Sequence, residues 1–137
     1  MGKVTLLLAL CLLIGYASST TVHAKGRMKC TYPGPWCYFI KLMEFDNFEN
    51  HDVLDTVGIR CTHNHIEPYE LNGVVHGDGP WNNFYELGFV LTHNCTRGDY
   101  IRKLTKQLKD ESINQSTINL DWSVRIYNSG LLVKQWD

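Results

Sequence analysis

The residues of this 137-residue chain with chemistry to offer are six histidines, five cysteines and a string of carboxylates. His63 and His65 stand two apart, so on a strand they face the same side and could share a metal ion. A third ligand would have to come from His76 or His93 through folding. A set this incomplete reads better as a polar loop after a strand. Asp46, Glu49, Asp52 and Asp55 offer oxygen ligands of the kind calcium takes. They lack the Asp-x-Asp-x-Asp-Gly order of a calcium loop, and a solvated turn between strands fits them better. No Gly-x-Ser-x-Gly nucleophile motif is present. The chain is therefore read as a non-enzyme, with no catalytic residue, metal or cofactor assigned.

What the cysteines do depends on the compartment. Lys3 precedes an apolar run from Val4 to Ile14 that only Thr5 interrupts. Val22-His23-Ala24 then offers tolerated residues at the −3 and −1 positions of a cleavage site. This predicts a signal peptide over residues 1–24 and one secreted, extracellular domain over 25–137. The apolar run is shorter than the roughly 20 residues a spanning helix needs. No later stretch is apolar enough either, so no transmembrane segment is expected in the mature chain. Cys11 leaves with the leader, and Cys30, Cys37, Cys61 and Cys95 remain. In an oxidising compartment four cysteines read as two disulfides, with three connectivities open. Asn94-Cys95-Thr96 and Asn114-Gln115-Ser116 become N-glycosylation sequons, and Asn114, in a polar loop, is the better acceptor. Without Lys3, 12 of the 13 Lys and Arg residues face 14 Asp and Glu. That balance argues against a nucleic-acid partner.

The elements that must position these groups are mostly strands. Tyr85, Leu87, Phe89 and Leu91 share one face, with Glu86, Gly88 and Thr92 on the other. Ile118, Leu120, Trp122, Val124 and Ile126 alternate with polar residues as one long half-buried strand. Tyr38-x-Ile40-x-Leu42 and Val57-x-Ile59-x-Cys61 make two shorter ones. Asn128-Ser129-Gly130 is a turn signal, after which Leu131–Trp136 is expected to return as a hairpin arm. Tyr100–Asp110 fits helical and strand periods equally. Turn residues between six or more short strands point to an antiparallel sandwich. Strand parity turns Cys30 inward with Met28, away from Arg27 and Lys29, and turns Cys95 inward with Leu91. Cys30–Cys95 is thus the preferred bridge, leaving Cys37–Cys61. Cys37 shares parity with Lys41 rather than Ile40, which a bulge near Trp36 would correct. Tyr32, Trp36 and Tyr38 near two prolines, and Trp81 after Gly79-Pro80, are either a recognition patch or plugs at the sandwich ends.

Six short motifs fall in a familiar order. Lys25-Gly26-Arg27-Met28-Lys29-Cys30 resembles the first strand of the nematode transthyretin-like family, and Ile40–Asp46 its second strand and acidic turn. Asp52-Val53-Leu54-Asp55, Tyr69-Glu70-Leu71-Asn72-Gly73, Leu91-Thr92-His93-Asn94-Cys95 and Thr117-Ile118-Asn119-Leu120 are similar to later steps of the same pattern. The chain departs from it at Thr31–Cys37, which replaces a Gly-Lys-Pro turn. It also lacks a glycine across His63–Pro68, and its tail from Ser123 has no counterpart. The resemblance implies an all-β, disulfide-stapled, transthyretin-like sandwich of seven to eight strands, with a strand over Tyr100–Leu108. It also supports Cys30 and Cys95 as the family's recurrent cysteines. In function it implies a secreted binding or signalling protein whose partner is an extracellular protein or lipid surface, bridged to a receptor. A carrier of a small hydrophobic ligand is the alternative. A hydroxyisourate hydrolase is the remaining branch of the superfamily, but its terminal Tyr-Arg-Gly-Ser has no match in Val133-Lys134-Gln135-Trp136-Asp137.

Overall fold

Period-two alternation of apolar and polar residues builds strands throughout the computed structural model, which describes residues 18–46, 51–77 and 82–137. The apolar run Val4–Ile14, expected to be a leader, lies outside those residues, as do Glu49 and the Gly79-Pro80-Trp81 segment. The strands are β1 (Ser19–Lys29), β2 (Trp36–Glu44), β3 (Asp52–Thr62), β4 (Ile66–His76), β5 (Phe84–Tyr85), β6 (Leu87–His93), β7 (Arg102–Gln107), β8 (Glu111–Ser112), β9 (Thr117–Asp121), β10 (Val124–Arg125) and β11 (Leu131–Leu132). Seven of these have five residues or more, and the described residues contain no helix. β1 is central in one sheet, with β4 antiparallel on one side and β9, then β10, parallel on the other. The second sheet runs β11-β7-β6-β2-β3, antiparallel throughout. β5 and β8 form a small separate pair.

The inward faces of the two sheets make one core. Val22, Ala24, Met28, Leu71 and Ile118 of the first sheet are buried with Tyr38, Ile40, Leu42, Phe89 and Leu91 of the second. Each fully buried Leu or Ile contributes about 1.5–3 kcal/mol. Cys30, just past β1, and Cys95, just past β6, are fully buried and bonded to each other, tying the two sheets together. β1 begins at Ser19, six residues ahead of the expected domain start at Lys25.

Segment 102–107 is a strand, because it pairs with β6 along its whole length. The long strand expected over 118–126 is broken at Trp122 and Ser123. Trp122 stacks on Phe89 with ring centroids 5.2 Å apart, and its carbonyl accepts the Tyr69 hydroxyl at 2.6 Å. That carbonyl dips beneath Gly26, where an added Cβ would stand only 2.0 Å from it. The hairpin expected after Asn128-Ser129-Gly130 does not form. Asn128 takes a positive φ and its N–H donates to the Cys95 carbonyl, so the chain crosses to the second sheet and β11 pairs with β7. Cys37 and Cys61 are bonded, but without a core-facing correction. They are directly opposed on β2 and β3, on the sheet's outer face, with Cys61 exposed. The register of β2 against β3 shifts instead between Tyr38 and Phe39, where Ile59 is the extra residue, and between Leu42 and Met43, where Leu54 is. β6 is buried on both faces, because Phe45 packs over Gly88 and the Asp137 carbonyl accepts a bond from Thr92 Oγ1 at 2.9 Å.

Candidate functional site

Alternation along β1 turns Lys25, Arg27 and Lys29 outward while Ala24, Met28 and Cys30 enter the core. Register decides what stands beside each cation. Lys25 lies between Glu70 of β4 and Asp121 of β9, so carboxylates surround it. Arg27 lies opposite Pro68, and its backbone N–H donates to Ser123 Oγ at 3.1 Å. Lys29 lies between Ile66, which is 49% exposed, and Arg125 of β10. Glu67, the other carboxylate of this part of β4, turns to the β3–β4 connection and accepts from Thr62 Oγ1 and Asn64 Nδ2, both at 3.1 Å. Among the described residues no carboxylate pairs with Arg27, Lys29 or Arg125.

The face is grooved. An open hollow of about 760 Å³ runs past Lys25 and Arg27 over Gly26 and Tyr69, where the β9–β10 break opens the surface. It shares Arg27 and Ser123 with a second hollow of about 270 Å³ bounded by Lys29, Ile66, Val124 and Arg125. Burial, with Asp121 adding to it, pushes the Tyr69 phenol well above its ordinary range, so it stays a neutral donor to Trp122. At one end of the groove two carboxylates, Glu70 and Asp121, flank the single cation Lys25. At the other, three exposed cations stand beside apolar side chains, an arrangement that attracts anions and offers two guanidinium forks for oxyanion recognition.

The residues singled out in the sequence are dispersed. His63 and His65 are exposed, and His65 Nδ1 lies 3.1 Å from the Cys30 carbonyl. His93 is fully buried at the end of β6. Its Nδ1 accepts the Cys95 N–H at 3.2 Å and its Nε2–H donates to the Ser129 carbonyl at 3.0 Å, which fixes one neutral tautomer. Desolvation lowers its pKa to about 4, helped by Arg102 and opposed by the Ser129 bond. No group of three or more His, Cys, Asp or Glu suited to a metal occurs among the described residues. Of the acidic turn, Asp55 holds structure. Its Oδ2 accepts the Asn72 N–H of β4 and its Oδ1 the Thr56 N–H, both at 2.8 Å.

Trp36 and Tyr38 are buried plugs, whereas Tyr32 lines a cleft of about 480 Å³ with Cys37, Cys61 and Asn94. Asn94 is engaged there. Its Oδ1 accepts the Cys37 N–H at 2.6 Å, and its Nδ2 donates to Asp99 Oδ1 at 2.8 Å. Asn114 is exposed in the turn after β8. The cationic end of the groove went unremarked in the sequence. Its signal was the alternation of Lys25, Arg27 and Lys29, repeated at Arg125. The parallel register that brings Arg125 beside Lys29 is a long-range property.

Residues 25–135 match a family described as Caenorhabditis elegans protein of unknown function (DUF870). A Caenorhabditis elegans relative, uncharacterized protein B0416.7, is 32% identical over 88 residues, which is 64% of this chain. The chain spans 65% of the length of that curated relative. No solved structure matches it. The chain belongs to the DUF870 family.

Proposed function

We propose that this DUF870 family member is a secreted, non-enzymatic binding protein that meets an anionic lipid surface through the outer face of β1. The observation that carries the reading is the triangle of Arg27, Lys29 and Arg125, exposed beside Ile66 and unopposed by carboxylates. Cations near an acidic bilayer contribute about 1 kcal/mol each. The exposed Ile66, beside Lys29 on β4, can add apolar contact at the headgroup level. Two disulfides suit an oxidising compartment. Among the described residues no helix is long and apolar enough to cross a membrane. The order of transthyretin-like motifs, on a two-sheet sandwich bridged by Cys30–Cys95, supports the same extracellular reading. A receptor contact would use the loops at the ends of the sandwich. The carrier reading has less support, since the groove is open and its walls carry Lys25, Arg27, Glu70 and Asp121.

Co-sedimentation with vesicles tests this. Binding is expected to vesicles containing phosphatidylserine and not to pure phosphatidylcholine, and to weaken as salt shortens the screening length. Equal partitioning to both vesicles, or none to either, overturns it.

A further inference from the structure

The strand that carries the groove also constrains how the leader is removed. A cut after Ala24 would take away Ser19–Ala24, six of the eleven residues of β1. β1 is the central strand of its sheet, so the loss falls on both neighbours. Register pairs from Ser19↔His76 to Ala24↔Leu71 would leave β4, and four of the five pairs that hold β9 would go. The lost segment is also core. Thr20 and Val22 are 0% exposed and Ala24 is 1% exposed. Thr20 Oγ1 donates to the Gln115 carbonyl at 2.6 Å and lies 3.3 Å from the Tyr85 hydroxyl. The Thr21 N–H donates to the Ser116 carbonyl at 3.0 Å. Removing these groups would leave Leu71 and Val75 without cover and buried backbone groups of two strands without partners.

The sequence holds a second cleavage site. Gly15 and Ala17 are small residues at the −3 and −1 positions of the Ala17–Ser18 bond, three residues past the end of the apolar run at Ile14. We propose that the leader is cut upstream of Ser19, at Ala17–Ser18, so that the secreted chain keeps the whole of β1. The inference rests on the secretion reading and changes only where the cut falls. The step is hydrolysis of one amide by a leader peptidase. Water supplies the hydroxyl of the new Ala17 carboxylate and a proton to the new Ser18 amine.

The test is the N-terminus of protein recovered from the medium of cells expressing the full 137-residue chain, read by Edman sequencing and by intact mass after deglycosylation. A start at Ser18 is expected, and a start at Ser19 also keeps the whole strand and supports the inference. A secreted protein starting at Lys25, or anywhere after Ser19, overturns it and leaves secretion standing. A chain kept in the cells with its leader attached overturns both. Ala17→Arg, which precedes the strand, is expected to hold the leader on or to move the cut. An N-terminus and yield identical to wild type would contradict the inference.

Discussion

His93 shows how a residue with catalytic credentials is put to structural use. Both ring nitrogens are bonded to backbone, joining the end of β6 to the turn at Ser129. Its pKa falls from 6.5 to about 4 in the fold, so the native state keeps the imidazole neutral. The unfolded chain takes up a proton as pH drops below 6.5 and the folded chain does not. The stabilisation is therefore complete above 6.5, shrinks as pH falls, and levels off below about 4. The loss across that window is about 3 kcal/mol. Urea melts at stepped pH should show this decline, and a flat profile from neutrality to pH 4 would contradict the role given to His93. The two sequon asparagines differ by the same kind of accounting. Asn94 spends its amide on Cys37 and Asp99, whereas Asn114 is exposed. On the proposed secretion, Asn114→Gln should remove one glycan's mass from protein recovered from the medium. Asn94→Gln should leave the mass almost unchanged and cost about 1–2 kcal/mol of stability through the displaced hydrogen bonds. The reverse pattern of masses would show that Asn94 is modified before it docks.

At the scale of elements the two disulfides are unlike. Cys30–Cys95 spans 65 residues and is buried between the sheets, while Cys37–Cys61 spans 24 and lies on an outer face. Chain entropy assigns them similar stabilisation, about 4 and about 3.5 kcal/mol. Access therefore decides their order of reduction. Limited reduction followed by alkylation should label Cys37 and Cys61 first, and early labelling of Cys30 or Cys95 would contradict the packing. Much of this layer was legible beforehand. Parity turned Cys30 and Cys95 inward because both sit on uninterrupted two-residue alternation. The same parity placed Cys37 outward, and a corrective bulge is required only if the bridge is buried; a bond between opposed residues of neighbouring strands needs none. The hairpin at Asn128–Gly130 misled because a turn signal reports reversal and not the destination. Here the Cys95 carbonyl and Gly130, packed against Lys103, send the chain to the other sheet. The break at Trp122 was invisible because it depends on Gly26, nearly a hundred residues away in sequence.

Across the whole molecule, charge is near balance yet unevenly placed. The segment after β11 closes part of the second sheet's outer face, with Lys103 paired to Asp137 at 2.8 Å. The first sheet keeps its outer face open, and on it the carboxylates gather around Lys25 while the cations gather around Lys29. The site was hard to read from the sequence because Lys25, Arg27 and Lys29 look like any solvated strand face until Pro68, Ile66 and Arg125 are set beside them. Attraction to an anionic surface is then a local property that overall composition conceals. The most direct measurement compares wild type with the triple variant Arg27→Glu, Lys29→Glu, Arg125→Glu on phosphatidylserine vesicles, with thermal melts matched to show that both are folded. Loss of three cationic contacts, at about 1 kcal/mol each, predicts at least a hundredfold weaker partitioning for the variant. Equal partitioning of the two folded proteins would contradict the account.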